Sequence, residues 1–138
     1  MILLFADVCA RAHDDGRLDL TRCWPASPHS LRSLMFELKT DGQLLTSSGQ
    51  CLTVQRNSYV LLDACSSTQN AQQRWNYDGF SGRLRNPWSD FCAMHVSDPD
   101  KVLARQILMA QNCTVDMNTG RAHDNRTWPF MRWKFANP

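Results

Sequence analysis

The sequence lacks any apolar run near the roughly 20 residues that a membrane helix requires, so no membrane insertion is expected. The run at the start, within MILLFADVCARA, extends about five residues before Asp7 interrupts it, and no basic leader precedes it. That disfavours a signal peptide. The chain reads instead as a domain excised from a longer secreted or luminal protein, with Met1 added to it. A surplus of charge is also missing. Fifteen Lys and Arg stand against 13 Asp and Glu, and the net +2 is spread along the chain, which gives no basis for nucleic-acid binding. There is no nucleophile elbow, metal-ligand helix or Gly-rich phosphate loop. No Cys-x-x-Cys pair occurs, and His13, His29, His95 and His123 are not grouped near paired cysteines, which argues against zinc. No catalysis and no cofactor are expected.

What the sequence has is a repeat. Cys9, Cys51 and Cys92 are 42 and 41 residues apart, and each is followed by a second cysteine, Cys23, Cys65 and Cys113. Each unit closes on a bulky residue, a polar one and an apolar one: Phe36-Glu37-Leu38, Trp75-Asn76-Tyr77 and Trp133-Lys134-Phe135. Each opens on an apolar residue before its first cysteine, at Ile2, Leu44 and Leu84, and Gly42 and Gly82 mark the turns ahead of the second and third openings. The middle unit holds four short apolar runs, QLLT, CLTV, YVLLDAC and RWNY, broken by turn residues. Four short strands per unit cannot bury a face alone, so three units must share one core. The expected fold is all-β, a β-trefoil of about twelve strands filling one domain over residues 1–138, with repeats at 1–40, 41–80 and 81–138.

Six cysteines allow fifteen pairings. The repeat selects Cys9 with Cys23, Cys51 with Cys65 and Cys92 with Cys113, each joining neighbouring strands of one unit. Closing a loop of about fifteen residues contributes roughly 3 kcal/mol in the chain-entropy model. The corollary is an oxidising compartment, hence a secreted, extracellular or secretory-pathway location. Two sequons, at Asn112 and Asn125, are candidate glycosylation sites in a eukaryotic source.

Three such units with intra-unit cysteine pairs and Gln-x-Trp-type endings resemble the ricin B-chain lectin family. Gln73-Arg74-Trp75 is that motif in full, Met131-Arg132-Trp133 keeps the Trp, and Leu34-Met35-Phe36 keeps an aromatic. The resemblance implies a β-trefoil that binds sugars, often as an appendage of toxins, glycoside hydrolases or glycosyltransferases. The cysteine-rich domain of the mannose receptor group and the lectin domains of polypeptide GalNAc-transferases are related possibilities. It also implies that Phe36, Trp75 and Trp133 are core residues rather than ligand stackers.

In the family an Asp usually lies two residues after the first cysteine, and an aromatic about two before the second. An Asn comes just before the Gln of Gln-x-Trp. Here those positions hold Arg11, Thr53 and Met94, then Thr21, Asp63 and Gln111, and Gln72 in the middle unit. No unit carries the complete galactose set. The middle unit is the best candidate, with Asn57, Tyr59, Asp63 and Gln72 supplying an aromatic, a carboxylate and amides. A second candidate is the stretched loop TVDMNTGRAHDNRTWPF of the third unit, with His123, Asp124, Asn125 and Trp128. Trp24 and Trp88 are loop tryptophans that a partner can cover. Arg-Ala-His-Asp occurs at Arg11–Asp14 and again at Arg121–Asp124, in different places of their units, a chance coincidence.

Two functions are expected from these features. One is a non-catalytic carbohydrate-binding module that targets an attached enzyme or toxin to glycans or a glycoprotein, with a catalytic domain of the same parent protein as a further partner. The other is a degenerate trefoil that docks proteins without binding sugar.

Overall fold

The computed structural model describes residues 1–5, 8–23, 31–56, 59–66, 70–97, 106–113 and 133–136. Among them, twelve strands follow one another. They are β1 (Ile2–Phe5), β2 (Val8–Ala12), β3 (Leu18–Arg22), β4 (Phe36–Leu38), β5 (Leu44–Thr46), β6 (Gln50–Val54), β7 (Val60–Ala64), β8 (Asn76–Asp78), β9 (Arg83–Asn86), β10 (Phe91–Ser97), β11 (Gln106–Asn112) and β12 (Lys134–Ala136). A 3-10 turn at Ala71–Gln73 precedes β8.

All pairings are antiparallel, and they group as β12-β1-β2-β3, β4-β5-β6-β7 and β8-β9-β10-β11. Each sheet therefore combines the closing strand of one repeat with the first three strands of the next. The closing strand of the third repeat pairs with the opening strand of the first, Leu3 facing Phe135, which ties the two ends of the chain together. A strand this short is marginal alone; sharing strands between repeats merges three small faces into one core.

That core contains Leu3, Ala10, Leu18, Phe36, Leu44, Leu52, Val54, Val60, Leu62, Trp75, Leu84, Ala93, Ala110 and Trp133, all buried. Phe36, Trp75 and Trp133 lie in it as the sequence implied. The backbone N–H of each donates to a carbonyl just ahead of the opening strand of its own repeat: Met1 at 2.7 Å, Gly42 at 2.8 Å and Gly82 at 2.7 Å. The indole N–H groups of Trp75 and Trp133 donate to Leu52 O and Ala93 O, both at 2.9 Å.

The ladder corrects one expectation. Leu44 and Leu84 face Leu38 and Tyr77, and the residue facing Phe135 is Leu3, so Leu3 rather than Ile2 opens the first repeat. Ile2 points to the other side of β1, as consecutive strand residues must, and packs with Cys9, Cys23 and Leu34.

The hairpins β2–β3, β6–β7 and β10–β11 each carry one disulfide, Cys9–Cys23, Cys51–Cys65 and Cys92–Cys113, spanning 14, 14 and 21 residues. Strands β3, β7 and β11 touch one another where the hairpins converge. At that convergence the Gly16 carbonyl accepts from Leu62 N at 2.8 Å, and Gly16 has φ +90°. A side chain there would start 2.7 Å from Leu62 O, so only glycine fits.

Candidate functional site

In the second repeat, the 3-10 turn sets the site. Asn70 caps it, its Oδ1 accepting from Gln72 N at 3.0 Å. This directs two adjacent glutamines to different tasks. Gln73 is buried and fully bonded: its Nε2 donates to Ala64 O at 2.9 Å and Thr53 Oγ1 at 3.2 Å, and its Oε1 accepts from Ser66 N at 2.9 Å. Gln72 faces outward and donates to Val54 O at 2.9 Å. The β6–β7 hairpin forms the opposite wall, closed by Gln55 N donating to Tyr59 O at 2.8 Å. Between them lies an open concavity of about 560 Å³ lined by Gln55, Arg56, Leu61 and Gln72, within the roughly 300–1,000 Å³ range of small-ligand sites.

Of the sequence candidates, Gln72 lines this concavity directly. Asp63 lies on β7 beside it, exposed, with its carboxylate accepting from Gln55 Nε2 at 2.9 Å. Tyr59 is half-buried at the start of the hairpin's return. Asn57 lies outside the described residues, as do His123, Asp124, Asn125, Trp128 and Trp24. Asn112 is half-buried in β11, facing Phe91. Trp88, on the β9–β10 turn, is 53% exposed.

A second pocket, of about 420 Å³, was not expected from the sequence. Ala12, His13, Asp14, Arg32 and Ser33 of the first repeat line it, with Thr46, Ser47 and Ser48 of the β5–β6 turn. It is the counterpart of the first concavity. His13 and Gln55 each stand four residues after the first cysteine of their repeat, and Ser33 and Gln72 each stand three before the closing aromatic. Laying the repeats on one another at those offsets, rather than at the family's sugar positions, is the signal that would have found it.

Beside this pocket, Arg11 on β2 sits directly opposite Asp19 on β3 and grips it with two hydrogen bonds, Nε to Oδ1 at 2.9 Å and Nη2 to Oδ2 at 2.7 Å. His13 Nε2 approaches the same carboxylate to 3.0 Å, an ion-pair distance without hydrogen-bond alignment. Burial opposes ionisation of Asp19, but the hydrogen bonds and charge of Arg11, with His13 adding to them, outweigh it and hold the carboxyl below the usual carboxylate range. Arg11 occupies the position where the family places a carboxylate. The carboxylate of this repeat thus lies across the strand pair, already neutralised. Among the described residues no group of His, Cys, Asp and Glu is arranged to hold a metal, and no helix is long and apolar enough to cross a membrane.

Comparison with known proteins gives a consistent picture. The family model of the ricin-type beta-trefoil lectin domain matches residues 4–119. No curated protein matches the sequence. Among solved structures, GalNAc-T7 with UDP, GalNAc and Mn2+ superimposes with a TM-score of 0.67 at 19% identity, covering 96% of this chain and 20% of that one. The β-trefoil lectin of the Vibrio vulnificus hemolysin/cytolysin, with N-acetyl-D-lactosamine bound, gives 0.63 at 15% identity, covering 96% and 90%. A non-toxic homologue of type II RIPs from Momordica charantia, in complex with alpha-methyl-D-galactoside, gives 0.65 at 16% identity, covering 96% and 46%. At these identities the structural likeness establishes the fold. This chain spans a fifth of GalNAc-T7 and under half of the Momordica protein.

Proposed function

The chain belongs to the ricin-type β-trefoil lectin family, and on that premise we propose that it is a non-catalytic carbohydrate-binding module. The observation that carries this reading is the second-repeat concavity, walled by two amides and a guanidinium with Leu61 at its side, 36% exposed. Amide and guanidinium groups match the hydroxyl rim of a pyranose, and an exposed aliphatic face matches its apolar side. In this reading Asp63, bonded to Gln55, supplies a carboxylate for paired hydroxyls, and Tyr59, across the hairpin from Gln55, supplies an aromatic. We propose further that the module serves a catalytic or toxin domain of the same parent protein in the secretory pathway or outside the cell; three disulfides support an oxidising setting.

The test is a glycan array probed with the oxidised domain displayed multivalently, followed by competition with single sugars. Retention on a defined glycan class, lost on changing Tyr59 and Asp63 together to Ala, is the expected outcome. A blank array would favour the other reading, a protein-docking trefoil. The observations behind that reading are Phe80, fully exposed on the β8–β9 turn, and the half-exposed Trp88.

A further inference from the structure

The two counterpart pockets differ in charge. In the first repeat, Asp14 stands next to His13, and Asp19 lies across from Arg11. In the second, the matching positions hold Arg56 next to Gln55, and Leu61 across from Thr53. No carboxylate is among the described residues lining the second concavity, although Asp63 lies beside it and accepts from Gln55. Arg56 itself is exposed and makes no ion pair or side-chain hydrogen bond among the described residues. Four other described guanidinium groups are committed, Arg11 to Asp19, Arg17 to Asp15, Arg85 to Asp90 and Arg74 to the Asp41 carbonyl, while Arg22 and Arg32 are exposed like Arg56. Among the described residues lining it, the concavity therefore presents one cation, Arg56, between two amides.

From this we infer that the second-repeat concavity takes an acidic saccharide, with Arg56 pairing the sulfate or carboxylate of the sugar and Leu61 lying against its apolar face. This inference rests on the carbohydrate-binding reading above. A guanidinium forks onto a sulfate or carboxylate through two parallel hydrogen bonds, which a neutral hydroxyl cannot return. The first-repeat pocket holds Asp14 at the position of Arg56, with Arg32 also lining it, so its own charges offset one another.

The experiment titrates the oxidised domain against matched neutral, sulfated and sialylated forms of galactose, N-acetylgalactosamine and N-acetyllactosamine. The acidic form of at least one series should bind more tightly than its neutral parent by about tenfold, the size of one charge-assisted contact at a wet site. The sulfated and sialylated arms show which anion the site accepts. Arg56→Ala should remove that advantage, weakening the acidic form far more than its neutral parent, and leave the melting temperature unchanged. Arg56→Lys should keep part of it, and Arg56→Asp should invert the preference. Arg22→Ala, an equal loss of charge on an exposed residue at the end of β3, should change nothing. Equal affinity for neutral and acidic probes would overturn the inference while leaving a lectin, and so would an equal effect of Arg56→Ala and Arg22→Ala. Binding of no probe in any series would overturn both the inference and the lectin reading.

Discussion

Gln73 shows how one residue can hold a repeat together. Its three hydrogen bonds reach β6, β7 and the segment after Cys65, from a side chain only 2% exposed. Gln73→Ala leaves those partners unsatisfied in a dry site and opens a cavity, a loss of about 2–4 kcal/mol in urea unfolding with the disulfides intact. Trp75→Phe loses the bond to Leu52 O and leaves part of the buried indole volume empty, about 2–4 kcal/mol. The Gln-x-Trp residues were legible in the sequence because their role is local to the repeat. The Arg11–Asp19 pair was not. Its partners, eight residues apart, meet only once the hairpin register is set. Asp19 titrates below its ordinary value in the fold, so its contribution is present above the unfolded carboxylate pKa and is lost as pH falls through the folded one. Arg11 is 39% exposed, which screens the pair to under about 1 kcal/mol. Asp19→Asn should therefore lower stability slightly at neutral pH, by under about 1 kcal/mol, and flatten the acid limb of the melting-temperature profile, the two proteins converging at low pH.

At the scale of elements, the three hairpins and three shared strand pairs make positions comparable. Leu3, Leu44 and Leu84 are equivalent in the ladder and all at most 1% exposed, so replacing each by Ala should cost a similar amount, about 3 kcal/mol. Ile2→Ala acts on a separate cluster beneath the first disulfide and need not match them. The strand count and cysteine pairing followed from periodicity. The choice between Ile2 and Leu3 did not, because Ile2-Leu3-Leu4 offers three successive apolar residues and only the pairing with β12, more than 130 residues away, selects one. Gly16 is a second case of long-range control, since the constraint on it is the Leu62 carbonyl. Gly16→Ala is expected to destabilise by about 1–3 kcal/mol through strain at positive φ and the close approach.

For the molecule as a whole, closure joins the repeats into one unit. The β1–β12 pairing joins the third repeat to the first, and Tyr77 of the second repeat donates its hydroxyl to Trp133 O of the third at 2.8 Å, its ring edge-on to Phe135 at 4.9 Å. A family resemblance was readable from three cysteine pairs in register. The pockets were not, because the family's sugar positions hold other residues and the usable surfaces come from offsets the motif does not mark. The most direct test of the carbohydrate-binding reading is a two-dimensional NMR titration of the labelled, oxidised domain with the strongest array glycan. Saturable shifts should centre on the amides of Gln55, Arg56, Leu61 and Gln72, with Trp88 and Phe80 undisturbed. Shifts at Trp88 and Phe80 alone, or none at a glycan concentration well above the array signal, would contradict a sugar pocket in the second repeat.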